Sequence, residues 1–123
     1  MKHAINWVEI PVEQFDRAKK FYETILNFEM NIADLGILKM GFLPHDTGAI
    51  GAAICRHPEF YKPSDKGSLI YLNGEPDLQP ILNRVEFAGG KVILQKRLIS
   101  EALGFMGLFL DSEGNRIGIR SME

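Results

Sequence analysis

Cysteine is nearly missing from this chain of 123 residues. Cys55 stands alone, so no intramolecular disulfide can form and no thiolate-rich zinc site can be assembled. Between Ile54 and Arg56 it reads as a small buried hydrophobe of a strand. Long apolar runs are missing too. The stretch Ala49–Cys55 is broken at Gly51, and nothing approaches the roughly 18 residues that crossing a bilayer requires. No membrane association is therefore expected. Met1–Val12 has neither a continuous apolar segment nor a small-residue cleavage site, which makes a cytoplasmic location the expectation. Nor is there an excess of one charge: 14 Lys and Arg stand against 16 Asp and Glu, for a net charge of -2. Basic residues are scattered and never cluster beyond pairs such as Lys19 and Lys20, so nucleic acid is not an expected partner.

What is present is ordinary globular material, 46% hydrophobic and 24% charged, at a length suited to one domain. From Ile5 to Val12, Val8, Ile10 and Val12 alternate with Trp7 and Glu9, the period of a half-buried strand. From Phe15 to Leu26, Ala18, Phe21, Tyr22, Ile25 and Leu26 recur at helical spacing, with Arg17, Lys19, Lys20 and Glu23 on the opposite face. Three short strands are expected next, over Phe28–Ala33, Ile37–Leu43 and Ala49–Cys55, punctuated by Asp34, Gly36, Pro44, Asp46 and Gly48. The first half reads β-α-β-β-β.

After a polar, proline-bearing stretch the same grammar returns about 63 residues later. A strand over Ser68–Asn73 precedes a helix over Asp77–Ala88, with Asp77 as N-cap and Gly89 and Gly90 as the stop. Strands over Lys91–Gln95, Gly104–Leu110 and Asn115–Arg120 follow. Two copies of one supersecondary unit define an α+β domain of two βαβββ modules, about 1–57 and 67–123, joined by a linker over 58–66. Helices cover one sheet face and the other curls into a cup. If Val8, Ile10 and Val12 pack on the helices, Trp7 and Glu9 point into that cup. If Ile117 and Ile119 do, Arg116, Gly118 and Arg120 point into it.

The string Trp7-Val8-Glu9-Ile10-Pro11-Val12, followed by Asp16-Arg17-Ala18 and Phe21-Tyr22, resembles the opening of the vicinal oxygen chelate superfamily, which holds glyoxalase I, bleomycin-resistance proteins and extradiol dioxygenases. Val85-Glu86-Phe87-Ala88-Gly89-Gly90-Lys91-Val92 and Leu110-Asp111-Ser112-Glu113-Gly114-Asn115-Arg116-Ile117 match the second module of the same family. The resemblance implies a curved mixed sheet and a cup commonly completed in a homodimer. It also implies a divalent metal held by His and Glu on the first and last strands of each module, with open positions for vicinal substrate oxygens.

Residue by residue, the first-strand ligand position falls on Trp7 and the last-strand position on Gly118. The other two fall near Ala52 or Ala53 and near Leu69 or Ile70. None of these can ligate, so no metal and no cofactor are expected. His3, His45 and His57 lie outside the strands and read as surface residues.

The expected cup lining is Trp7, Glu9, Tyr71, Asn73 and Arg116, with Arg120 nearby: a flat apolar wall with convergent polar groups, as a small-molecule site requires. Glu9 and Arg116 are expected in one cup near Trp7 and Tyr71, as a ligand pair or as a structural ion pair. Glu9 beside Trp7 could act as a general base where no arginine holds it ionised. Three readings follow: a metal-free cup binding a small organic ligand, a metal-dependent lyase or dioxygenase, and a structural or regulatory homodimer.

Overall fold

The alternation around Ile10 and Val12 becomes strand β1 (Trp7–Pro11) in the computed structural model, which describes residues 2–123. The amphipathic segment becomes helix α1 (Phe15–Leu26), whose buried stripe is Phe15, Ala18, Phe21, Tyr22 and Ile25. Asn27 ends it in the left-handed conformation at φ 53°, and its N–H returns to the Glu23 carbonyl. Strands β2 (Asn31–Asp34), β3 (Lys39–Phe42) and β4 (Gly51–Arg56) complete a sheet of order β1-β4-β3-β2, with β1 parallel to β4.

The second half repeats this with β5 (Tyr71–Asn73), α2 (Gln79–Val85), β6 (Lys91–Ser100), β7 (Gly104–Leu110) and β8 (Arg116–Ser121). Its sheet has order β5-β8-β7-β6, again with the first and last strands parallel. The repeat read from the sequence is thus a repeat of topology. Among the described residues no helix is long and apolar enough to cross a membrane.

Several boundaries differ from the sequence expectation. Helix α2 starts at Gln79 and ends at Val85 rather than spanning Asp77–Ala88. Asp77 is not its N-cap; its Oδ1 instead accepts the Gln79 N–H at 2.9 Å in a local turn and also holds Lys96 Nζ at 2.8 Å. Beyond Val85 the chain stays in hydrogen-bonded turns, with the Ala88 N–H on the Arg84 carbonyl and the Gly90 N–H on the Val85 carbonyl, and Gly89 turns it away at φ 107°. A Cβ at Gly90 would stand 2.7 Å from the Phe21 ring and would also run into the Leu110 carbonyl oxygen. Strand β5 is shorter than Ser68–Asn73, and β6 runs to Ser100 rather than Gln95. Three register shifts interrupt its pairing with β7.

The two helices and the inner sheet faces enclose one core, with Phe21 6.0 Å from Phe109 across the modules. A polar lock lies at its edge. Buried Tyr22 donates its hydroxyl to Asp111 Oδ2 at 2.6 Å, and Asp111 Oδ1 accepts the backbone N–H of Glu113 and Asn115, both at 2.9 Å. Asn115 Nδ2 donates to the Pro11 carbonyl at 2.7 Å and to Asp111 Oδ2 at 3.0 Å. Burial pushes the Tyr22 hydroxyl well above its ordinary range and raises Asp111 as well, so Tyr22 remains the donor.

Gln14 gives α1 no side-chain cap. The cap comes from the other module: Glu113 Oε1 accepts the N–H of Gln14 at 2.8 Å and of Glu13 at 3.0 Å, while its Oε2 takes Arg17 Nε at 2.7 Å. A carboxylate here meets the positive end of the helix dipole.

Burial is the largest single influence on Glu113 and pushes its pKa up. The hydrogen bonds from Arg17, Gln14, Glu13 and Ser112 together outweigh it and hold the carboxyl below its usual range. A carboxyl lowered on folding contributes stability above its unfolded pKa and loses it as pH falls through the folded value. Asp111, raised on folding, has the opposite slope: its contribution is present at low pH and lost as pH rises through its folded value. Glu23 and Asp77 are held low as Glu113 is, so the lowered carboxyls outnumber Asp111 and the urea midpoint of the wild type is expected to fall on acidification below about pH 4, the ordinary carboxyl range. Glu113→Gln should make that fall shallower when midpoints are compared across the acid range.

Candidate functional site

Strands β1 and β5 are each an edge strand of their sheet, and residues of the β1 and β5 segments together line two openings of a seam between the modules. Val8 faces Leu72 and Asn73 across one opening of that seam, and Glu9 and Ile10 face Ser68 and Ile70 across the other. Ile10 and Val12 are buried under the helices, which leaves Trp7 and Glu9 on the opposite, concave face. Ile117 and Ile119 are buried likewise, leaving Arg116, Gly118 and Arg120 on that face.

Each module lays an aromatic ring across a glycine of the neighbouring strand. Trp7 pairs in register with Gly51, and a Cβ there would meet the indole at 2.7 Å. Tyr71 pairs in register with Gly118, and a Cβ there would also fall 2.7 Å from its ring. Both rings remain partly open to solvent, Trp7 at 37% and Tyr71 at 44%. These glycines are flat beds for the rings, and their lack of a side chain is what lets each aromatic lie along the sheet.

Glu9 is held from two sides. Trp7 Nε1 donates to its Oε2 at 3.2 Å, and Tyr61 donates its hydroxyl to Oε1 at 2.5 Å. Tyr61 is pushed above its ordinary pKa by that bond first and by burial second, so it is a donor throughout the neutral range. Under this group lies Cys55, fully buried, its thiol pushed up to about 12 by burial first and then by the Glu9 charge. A thiol in that state is a poor nucleophile. Cys55 is therefore expected to resist iodoacetamide at pH 8 in the native protein and to react only at the rate of unfolding. Alkylation rates followed by mass spectrometry with and without urea check this.

The structure brings together only part of the expected lining. Trp7, Glu9 and Arg116 share the concave face, and Glu9 and Arg116 line one cavity of about 230 Å3. They form no ion pair, because Glu9 is already engaged by Trp7 and Tyr61. Arg116 Nη2 donates to the Gly67 carbonyl at 2.9 Å, and its Nε is buried without a partner. Tyr71 and Asn73 line the other opening, a mostly apolar cavity of about 270 Å3 with Ile50, Gly51 and Leu72. Asn73 Oδ1 also accepts the Glu75 N–H at 2.9 Å. Arg120 is turned to the β6–β7 hairpin, where its Nε and Nη2 donate to the Leu103 carbonyl.

Two residues were not anticipated. His45 is exposed, yet it is not a remote surface residue: its ring meets Trp7 edge-on at 6.2 Å between centroids, opposite Phe42 at 6.1 Å. Tyr61 belongs to the stretch read as linker, which folds back to Glu9 and, through the N–H of Ser64, donates to Asn115 Oδ1 at 3.1 Å. An aromatic pair, Phe60-Tyr61, inside an otherwise polar segment is the one sequence signal that could have marked it.

The residues do not fit a metal centre at the positions the family resemblance gives to ligands. Gly118 has no side-chain donor, and the Trp7 indole lies over Gly51 with its N–H given to Glu9. Leu69 and Ile70 have no side-chain donor either, and Ile70 packs toward the core. Ala53 is fully buried, and Ala52 packs against the core. Among the described residues no three His, Cys, Asp or Glu side chains come together as a ligand set.

Two sheets of the same strand order, helices on one face and a shared concave face lined by aromatic–glycine pairs define a paired-βαβββ cup protein. The chain belongs to the glyoxalase/bleomycin resistance protein/dioxygenase superfamily, whose family model matches residues 4–119. Among solved structures it is similar to UcmS2, at 24% identity over 98% of both chains and a TM-score of 0.70. It is also similar to the genomically encoded fosfomycin resistance protein FosX from Listeria monocytogenes, at 13% identity over 98% of this chain and 92% of that one, TM-score 0.69. A glyoxalase-related enzyme from Fulvimarina pelagi matches at 12% identity over 98% and 88%, TM-score 0.68. Among curated proteins none matches.

Proposed function

We propose that this cup binds a small organic molecule with a flat apolar portion, and that it does so without a metal. The observation that carries the reading is the pair of half-exposed rings, Trp7 and Tyr71, each bedded on a glycine. Flat rings with one exposed face stack on a flat ligand at little entropic cost. The apolar opening beside Tyr71, walled also by Leu26 of α1 and Leu43, is of a size to take a small fragment, and Glu9, fixed by Trp7 and Tyr61, is a polar anchor at the second opening. The same reading takes the protein to work as a homodimer. Ile93, Leu98 and Ile99 on β6 remain exposed and would be covered in it, and light scattering at micromolar concentration tests that part.

Trp7 is the single tryptophan, so its fluorescence reports this site alone. A library of small aromatic compounds, screened in buffer containing a chelator, should yield a compound that shifts Trp7 emission saturably and raises the melting temperature. Occupancy at a hundred times Kd corresponds to about 2.7 kcal/mol of added stability. A response that requires Ni, Zn, Fe or Mn would overturn the metal-free reading, and a library with no response in either readout would overturn ligand binding.

A further inference from the structure

The second opening of the seam differs in chemistry from the first. Its cavity of about 230 Å3 is lined by Lys62, Lys66 and Arg116 with Ser64, Ser68 and Asn115, against one carboxylate, Glu9. That carboxylate is not free to neutralise the arginine, since Trp7 holds one of its oxygens and Tyr61 the other. Lys62 Nζ rests on the Pro58 carbonyl at 2.7 Å, and Lys66 Nζ on Asp65 at 3.3 Å, both at the exposed rim. Deeper in, Arg116 is tethered through Nη2 to the Gly67 carbonyl, which fixes the plane of the guanidinium. Its Nε–H is buried with no acceptor, the only buried side-chain nitrogen or oxygen among the described residues left in that condition.

A buried N–H on a permanently charged group carries a penalty that an incoming oxygen would lift. Because the guanidinium keeps its charge at every accessible pH, the acceptor that gains most is an anionic oxygen. We propose that this cavity is an oxyanion subsite in which the Arg116 guanidinium, with Lys62 and Lys66 at the rim, receives a carboxylate or phosphate group, the side chain turning its buried Nε–H outward to meet it. The proposal rests on the reading above only in placing the rest of the molecule on Trp7 and Tyr71, and it narrows the ligand to one with an apolar ring and an acidic group. Glu9 then sets the spacing between the two parts, and it disfavours anions that would crowd the Trp7 end of the seam.

The test titrates the full chain, with 15N-labelled arginine, separately with sodium phosphate and with sodium acetate, against sodium chloride at matched ionic strength. The Arg116 Nε–Hε resonance and the melting temperature are read together. A saturable shift with an oxyanion and none with chloride is the expected result, and the anion that saturates at the lower concentration names the acidic group. Arg116→Gln should weaken that binding by roughly tenfold or more, the scale of one lost charge-assisted hydrogen bond. Arg97→Gln, on the edge strand β6, should leave it unchanged. A non-saturating response equal to that of chloride, or full retention in Arg116→Gln, overturns the subsite. Should Arg116→Gln not fold, the wild-type resonance decides alone. Uncharged aromatic compounds that move Trp7 while phosphate and acetate leave Arg116 unmoved would sink this inference and spare the function proposed above; the reverse pattern would do the opposite.

Discussion

Asp111→Ala is expected to lower the free energy of unfolding by about 4 kcal/mol, among the larger effects a single substitution produces. Asp111 is 3% exposed and accepts from Tyr22, Asn115 and the backbone of Glu113. Removing it strands these donors in the interior, and each stranded donor costs about 1–3 kcal/mol. The loss also loosens the turn that aims Glu113 at the start of α1, so the effect spreads across both modules. Tyr22→Phe, which removes one donor and leaves Asp111 its other partners, should cost only about 1–2 kcal/mol. Urea unfolding followed by circular dichroism separates the two, and the double variant should be less destabilised than the sum if both act through the same bond. A loss below that of Tyr22→Phe would show that Asp111 is not the centre of the lock.

Trp7→Ala is expected to weaken ligand binding by roughly thirtyfold or more, equivalent to about 2 kcal/mol, the level at which a buried aromatic anchor qualifies as a hot spot. The indole supplies the wall above Gly51 and orients Glu9, so its removal takes away stacking surface and frees the carboxylate together. The effect on stability should be smaller, because the ring lies on the concave face and not among the helix-facing core residues. Glu9→Gln retains the side-chain volume and one acceptor, and should reduce affinity while leaving the urea midpoint nearly unchanged. Calorimetric titration of a compound found with the wild type checks both variants. Equal losses of affinity and stability would make Trp7 a packing residue only.

Strand parity was legible wherever one face of a strand is sealed. Ile10 and Val12 have to meet the helices, so Glu9 has to turn away from them. The same logic placed Arg116 opposite Ile117. It gave way on β6, which alternates in exposure from Lys91 to Arg97 and then runs on through exposed Leu98 and Ile99 to Ser100. It also gave way at α2, whose apolar spacing continues to Ala88 while the regular helix gives over at Val85 to turns that end at Gly89 with positive φ. The site was half legible. Periodicity reaches Trp7 and Glu9, but the Tyr61–Glu9 bond spans 52 residues from a segment with no periodicity at all. The register that sets Tyr71 on Gly118 is fixed by strand pairing, which spacing along the chain does not report.

The lock between the modules also governs when the protein can finish folding during synthesis. Its bonds join residues 89 to 104 positions apart, from Tyr22–Asp111 to Pro11–Asn115. When α1 leaves the ribosome, the carboxylate that caps it and the acceptor for Tyr22 have not been translated. The first module must wait with an apolar stripe and an uncapped helix until the segment from Asp111 to Asn115 has emerged. Contacts of such separation make for slow closure, and the waiting nascent chain is the state in which a chaperone or a protease would find this protein.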